Sequence, residues 1–243
     1  MFALIKERGA MGTTELADML GISVPTVRRD LSALEVAGLV IRTHGGVVTQ
    51  DAVRESDLEP LFSDKLNVHQ VLKERIAAAA AELVFDRATV IIDSGTTGLA
   101  LARQLAGRSV TIVALDLKVA EAAATGSTEV LLVGGRVRNG LFNVTGAWAT
   151  DLLQAITADL FFLSADAIDA EHVTNSTIEE AAVKKAAIDK SLRTVLIADH
   201  SKLNQRRFVP VCGVERVDVF VTDSGSREPI AAYESKFKKI IYC

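Results

Sequence analysis

One stretch, TTELADMLGISVPTVRRDL at residues 13–31, constrains the fold more than any other. Its apolar residues Leu16, Ala17, Leu20, Ile22, Val27 and Leu31 fall where two short helices must press together across a tight turn. Small Ala17 allows close approach, and Gly21 can adopt the left-handed conformation that ends a first helix. Ser23 stands as an N-cap, with Pro25 in the first turn after it, where a missing N–H costs nothing. The pattern predicts a helix-turn-helix whose second helix presents Thr26, Arg28 and Arg29 outward. Arginine forks onto guanine edges and phosphate oxygens, so Ser23, Pro25, Thr26, Arg28 and Arg29 are expected at a double-stranded DNA surface.

The flanks suit the same reading. Residues 2–8 read as a helix with Leu4 and Ile5 inward. After the second helix, GLVIRTHGGVV reads as strand, His-Gly-Gly turn and strand, a wing that would carry Arg42 and His44 beside the DNA. Charge alone does not make this case. Within residues 1–50, Lys6, Arg8, Arg28, Arg29 and Arg42 are offset by Glu7, Glu15, Asp18, Asp30 and Glu35, and the whole chain carries −4. Placement of the arginines carries it instead, and a homo-oligomer (dimer or tetramer) is expected to be needed for tight binding.

The division expected is a winged helix-turn-helix over 1–50, a polar linker over 51–65, and a sensing and oligomerisation domain over 66–243. That third part opens with an alanine-rich helix predicted over 66–85. Apolar bursts then recur: TVIIDSG, VTIVALD, VLLVGG, DLFFLSAD, TVLIADHSK, DVFVTDSG and KIIYC. Helix-forming stretches at 97–106, 117–125 and 177–191 separate several of them. Short β-branched runs alternating with helices predict an α/β domain with a doubly wound, mostly parallel sheet. The two cysteines, Cys212 and Cys243, have no metal-like spacing, so neither a cofactor nor a metal is expected. The opening MFALIKERGAMG lacks signal-peptide character and no long apolar run follows, which makes a reducing cytoplasm the expected location and a membrane an unexpected partner.

In such sheets ligands bind past the carboxyl ends of strands. The sharpest candidate there is Asp93-Ser94-Gly95-Thr96-Thr97-Gly98. A glycine turn feeding a helix start, with hydroxyls at Ser94, Thr96 and Thr97, suits a small phosphate. It is neither a Walker A loop nor a Gly-x-Gly-x-x-Gly fingerprint. Gly134, Gly135 and Arg136 offer a second anion contact, and Asp199, His200, Ser201 and Lys202 bring three charge types together. Asp166 and Asp169 could accept from sugar hydroxyls, with Lys184 on the next helix. Each is alone an ordinary capped or solvated loop group; together they suit a phosphorylated, polyhydroxylated effector.

These residues resemble the DeoR family of bacterial transcriptional regulators over nearly the whole chain. The match runs through SVPTVRRDLSALEVAGLVIRTHGG, DSGTT, VGGRVR, EEAAVKKAAI, ADHSK and VFVTD in the family's order. The resemblance implies a C-terminal domain similar to ribose-phosphate isomerases and coenzyme A transferases. It also implies a repressor of carbohydrate-metabolism genes released by a phosphorylated sugar or related metabolite. On that resemblance Ser94, Gly95, Thr96 and Thr97 would hold phosphate, with Asp166, Lys184 and Lys202 near the sugar. The chain departs from the family at Ala114-Leu115-Asp116, where Thr-Asn-Ser is usual, and at Ser164 and His172, where glycine is common. Two alternatives stay open: a sugar-phosphate isomerase with Asp166 or Asp169 as base, and a DNA-binding protein whose second domain only oligomerises.

Overall fold

A computed structural model describes residues 1–8, 10–36, 39–43, 46–49 and 61–243. They fall in two compact units, Met1–Glu59 and Pro60–Cys243. The first holds α1 (Phe2–Arg8), β1 (Ala10–Gly12), α2 (Thr13–Leu20), α3 (Val24–Val36), β2 (Val40–Thr43) and β3 (Gly46–Thr49). Its strands form an antiparallel sheet in the order β1-β3-β2. Ile5, Met11, Leu16, Ala17, Val27, Leu31, Val40 and Val47 make one buried core. Gly21 takes φ 63° after α2, and Ile22 N–H closes back on the Ala17 carbonyl at 3.1 Å. Ile22 itself faces out, contrary to the inward place its spacing predicts, because it lies in the turn rather than on a helix. Strand β1 is absent from the sequence reading; three residues are too few to show a period.

The second unit begins with α4 (Phe62–Leu66) and α5 (Gln70–Ala81), followed by β4 (Thr89–Ile92), α6 (Thr96–Leu105), β5 (Thr111–Ala114) and α7 (Leu117–Ala123). Then come β6 (Glu129–Leu132), a hairpin of β7 (Arg136–Val137) and β8 (Val144–Thr145), and α8 (Ala147–Gln154). The chain continues through β9 (Ala158–Leu163), β10 (Ala167–Ile168), β11 (His172–Asn175), α9 (Ile178–Asp189) and β12 (Ser191–Ile197). It ends with β13 (Val209–Gly213), β14 (Val219–Thr222), α10 (Arg227–Ile230) and β15 (Ile240–Tyr242). The single helix predicted over 66–85 is in fact α4 and α5, broken where His69 takes φ 54°. Helix α4 also occupies part of the stretch read as linker.

Seven strands form the central sheet in the order β15-β14-β12-β9-β4-β5-β6, every neighbouring pair parallel. They are the seven apolar bursts. From β4 the chain steps outward through β5 to β6, then returns to β9 on the other side and steps outward again. The order therefore reverses between β4 and β9, which is where a parallel sheet opens a crevice at its carboxyl edge. Alternate side chains feed two cores. Val90, Ile92, Ile112 and Phe162 meet Ile76, Ala77, Ala80, Leu101, Leu105 and Val119 of α5, α6 and α7. Ile91, Val113, Phe161 and Leu163 meet Ala149, Leu153, Ala181 and Ala187 of α8 and α9. The alanine run of α5 thus packs against its own sheet. Strand β6 reads as a buried burst but is the edge strand, and Leu131 and Leu132 are exposed. Among the described residues no helix is long and apolar enough to cross a membrane.

Candidate functional site

In the first unit Ser23 caps α3: its Oγ accepts the Thr26 N–H at 3.4 Å and lies 2.9 Å from Thr26 Oγ1. Burial of Val27 and Leu31 fixes the helix rotation, and that rotation leaves Pro25, Arg28 and Arg29 exposed. Arg29 Nε reaches Asp30 only at 4.0 Å, so its guanidinium stays in solvent. The Thr26 hydroxyl is occupied by Ser23, which makes the arginines the long reach of this surface. The side chains of Arg42 and His44 lie outside the described residues.

In the second unit the strand-end groups converge at the switch point between β4 and β9, around a buried lysine. Lys184 Nζ lies 3.0 Å from Asp93 Oδ2 and 3.0 Å from Glu180 Oε1, and donates to the Ser164 carbonyl and to Asn175 Oδ1. Glu180, one helical turn before Lys184, is paired on its other oxygen with Arg138 Nη1 at 2.9 Å. The guanidinium that joins this cluster is therefore Arg138's. Arg136 instead lines an open cleft of about 300 Å³ with Gly135, Thr145, Gly146, Ala147 and Trp148, and Gly134 lies exposed beside it. Burial pushes the Asp93 carboxyl up to about 6, although Lys184 pulls it down. Burial works against the Lys184 ammonium, yet Asp93, Glu180 and Asp166 hold its pKa above the usual lysine range.

The turn after β4 is shaped by glycine. Gly95 takes φ 103°, and a Cβ on Gly98 would lie 2.5 Å from the Asp93 carbonyl oxygen, so helix α6 starts hard against the strand end. The inward donors of this turn are taken by carboxylates of the chain itself. Ser94 N–H donates to Asp93 Oδ1 at 2.8 Å, and Ser94 Oγ lies 3.3 Å from Glu180 Oε1. Burial raises the pKa of Asp116 at the neighbouring strand end, and the Gly95 N–H is among the groups that lower it. Thr96 and Thr97 differ. Their N–H groups precede the first helical bond, Leu99 N–H to Gly95 carbonyl at 2.9 Å, and their hydroxyls have no hydrogen-bond partner among the described residues. The donors of this turn without a protein partner among the described residues are thus those of Thr96 and Thr97, while those of Ser94 are engaged.

Asp166 accepts from Ser176 N–H at 3.0 Å, Ser176 Oγ at 2.8 Å and Asn175 Nδ2 at 3.2 Å, and lies 3.6 Å from Lys65 Nζ. Burial opposes its charge, but Lys65, Lys184 and Ser176 hold its carboxyl below the usual range. Asp169 sits apart, bound to Arg206 Nε at 2.7 Å. The ADHSK residues do not converge as their order suggests. Asp199 Oδ1 accepts from Ser201 N–H at 2.9 Å, while His200 Nδ1 turns to Asp223 Oδ2 at 2.9 Å. Burial lowers the pKa of Lys202 despite the nearby Asp199. Lys73, buried and donating to the Lys65 carbonyl, is lowered by burial to about 8. Glu180, Arg138, Lys65 and Lys73 are not among the site residues expected from the sequence. Glu180 stands in EEAAVKKAAI, four residues before Lys184 on one helix face, and Arg138 closes VGGRVR.

Both units match known domain families. Residues 1–53 match the DeoR-like helix-turn-helix domain and residues 68–224 the DeoR C terminal sensor domain. The chain is 32% identical over 245 residues to the transcriptional repressor AccR of Agrobacterium fabrum, covering 97% of this chain and 92% of that protein. It is 30% identical over 224 residues to the glycerol-3-phosphate regulon repressor of Escherichia coli, covering 91% of this chain and 87% of that one. Among solved structures, ribose 5-phosphate isomerase A of Methanocaldococcus jannaschii aligns at 17% identity with a TM-score of 0.42, over 55% of this chain and 54% of that one. With a helix-turn-helix and a sensor domain both matched and relatives aligned along nearly its full length, the chain belongs to the DeoR family of transcriptional regulators.

Proposed function

We propose that the protein represses carbohydrate-metabolism genes by binding operator DNA through α3, and that a phosphorylated sugar or related metabolite releases it. The observation that carries the DNA half is the capped, rotationally fixed α3 with Arg28 and Arg29 exposed on it. Such a helix enters a major groove with its first turns against base edges, Arg42 and His44 following on the wing. Two copies of α3 one DNA turn apart, about 34 Å, would read a two-fold symmetric operator, so a homo-oligomer is part of the proposal. The sensing half rests on the Thr96 and Thr97 donors at the switch point, with Asp166 and Lys202 following the neighbouring strands β9 and β12 and Lys184 reaching in from α9. A sugar phosphate is the ligand class that uses both anion donors and carboxylate acceptors.

We infer no isomerase activity. A general base must be free to take a proton, and Asp166 is held by three hydrogen bonds and two cations that keep its carboxyl ionised and weakly basic. Asp169 is fixed by Arg206 and by the Glu171 and His172 N–H groups. Fluorescence anisotropy on DNA from upstream of the coding region tests the whole reading. Specific binding, lost by roughly 1–3 kcal/mol in Arg28→Ala or Arg29→Ala and reversed by one of a panel of sugar phosphates, is the expected result. Equal operator affinity with and without every sugar phosphate would remove the sensing half, since a ligand shifts only what it binds unequally.

A further inference from the structure

The charges buried around the turn after β4 do not cancel. Asp93 and Glu180 are matched by Lys184 and Arg138, each carboxylate within 3.0 Å of a cation. Asp116 is the exception. It is 0% exposed and no cation pairs with it among the described residues. Its Oδ1 caps α7, accepting from Lys118 N–H at 2.6 Å and Val119 N–H at 3.1 Å. Its Oδ2 is buried without a hydrogen-bond partner, as is the Oδ1 of Asn143, the residue whose backbone bridges to Asp116. Capping needs only one acceptor oxygen and no charge; serine or asparagine would serve as well. What Asp116 adds beyond a cap is a carboxyl group beside the turn, since it follows β5, whose Ala114 pairs with Ile92 at the end of β4; burial pushes its pKa above the usual aspartate value while the Val119, Lys118 and Gly95 N–H groups pull it down.

We propose that Asp116 is a specificity-determining residue of the effector site: its carboxylate, paired with no cation among the described residues, stands beside the turn at residues 94–97 and penalises doubly charged anions there more than singly charged ones, so that a phosphomonoester binds more weakly than it would without Asp116. This rests on the reading of that turn as the effector's anion site. The Gly95 N–H lies close enough to Asp116 to lower its pKa, and the donors left to a ligand are those of Thr96 and Thr97. Repulsion scales with the ligand's charge, so a dianion feels it twice as strongly as a monoanion at the same place. A carboxylate or a phosphodiester end therefore loses less affinity than a phosphomonoester end. Asp116 touches no ligand in this scheme; it acts through the field at Gly95 and the head of α6.

Methyl phosphate and dimethyl phosphate separate charge from shape, since at pH 8 the first is a dianion and the second a monoanion. Each is titrated into the full-length parent protein, Asp116→Asn and Asp116→Ser, and followed at the backbone amides of Gly95, Thr96 and Thr97 by NMR. Both substitutions keep a capping oxygen, and retained amide dispersion reports that the fold survives. The expected result is that removing the charge tightens dimethyl phosphate about threefold and methyl phosphate about tenfold, a logarithmic ratio near two. Equal changes for the two ligands, no change, or weaker binding in the variants would overturn the proposal while leaving the turn an anion site. If neither ligand moves those amides in any of the three proteins, the reading of the turn as an anion site fails, and this inference with it.

Discussion

Lys184 Nζ and Asp93 Oδ2 lie 3.0 Å apart with both side chains 2% exposed, and this pair ties the end of β4 to the middle of α9. Because Asp93 Oδ2 also accepts the Ser164 N–H at 2.9 Å, the pair spans the point where the strand order reverses. Replacing the cation leaves two carboxylates, Asp93 and Glu180, buried with only Arg138 to balance them. Lys184→Met is expected to cost about 3–5 kcal/mol, the usual cost of stranding buried charge. Urea denaturation checks it. Adding Asp93→Asn to Lys184→Met should recover part of that loss; a double variant less stable than the single one would contradict the pairing.

Asp93 also makes stability depend on pH, and the sign follows from burial. Its carboxyl titrates near 6 in the folded protein against 3.8 for an ordinary aspartate. The folded state thus holds this proton more tightly than the unfolded chain does. The stabilisation it gives is complete below pH 3.8 and is lost as pH rises through about 6. Asp93→Asn lacks that titration. Between pH 4 and pH 7 the parent should lose stability relative to Asp93→Asn, measured by urea unfolding at several pH values. A constant difference across that range would mean that burial does not govern this carboxyl.

Lys73 has the opposite slope. Burial lowers its ammonium to about 8 from 10.5, so folding favours the neutral amine. Its contribution is complete above pH 10.5 and is lost as pH falls through about 8. Lys73→Met keeps the buried stem and removes the charge. Relative to that variant, the parent should gain stability between pH 8 and pH 10, provided thermal unfolding stays reversible there. A parent that loses stability over that range would reverse the sign assigned here.

Gly98→Ala tests how closely α6 meets β4. The added methyl would lie 2.5 Å from the Asp93 carbonyl oxygen and 3.3 Å from Ile92 Cγ2, and backbone cannot move aside as a side-chain tip can. A loss of roughly 1–3 kcal/mol is expected, with weakened anion binding at Thr96 and Thr97. Gly21→Ala is the contrasting case, because nothing lies within 4 Å of the added Cβ. Its cost should be the backbone strain of φ 63° alone, about 1 kcal/mol, read as a lower melting temperature of the first unit.

Much of this protein is written locally. Gly21, Ser23 and Pro25 specify the end of α2 and the start of α3 through their own backbone preferences and capping chemistry, which need no distant partner. The seven apolar bursts declare the seven strands of the parallel sheet, since a strand covered on both faces needs a continuous apolar run. The site was legible in part. Asp93 and Asp166 follow neighbouring strands at one sheet edge, because strand ends in a parallel sheet share that edge, and Lys184 reaches Asp93 from α9.

Contacts between residues far apart in the chain decided the rest. Strand order has no local signature, so only the folded sheet made β6 an edge and exposed Leu131 and Leu132. Hydrogen-bond direction is equally non-local. The sequence does not show that Glu180, 86 residues on, lies against the Ser94 hydroxyl, nor that Arg138 rather than Arg136 reaches Glu180. The sequence alone determined which residues could form helices, strands and anion-binding turns, because those preferences act within a few residues. The tertiary structure decided which donors stay free and which charges remain uncancelled, because burial and pairing depend on what the whole chain brings alongside.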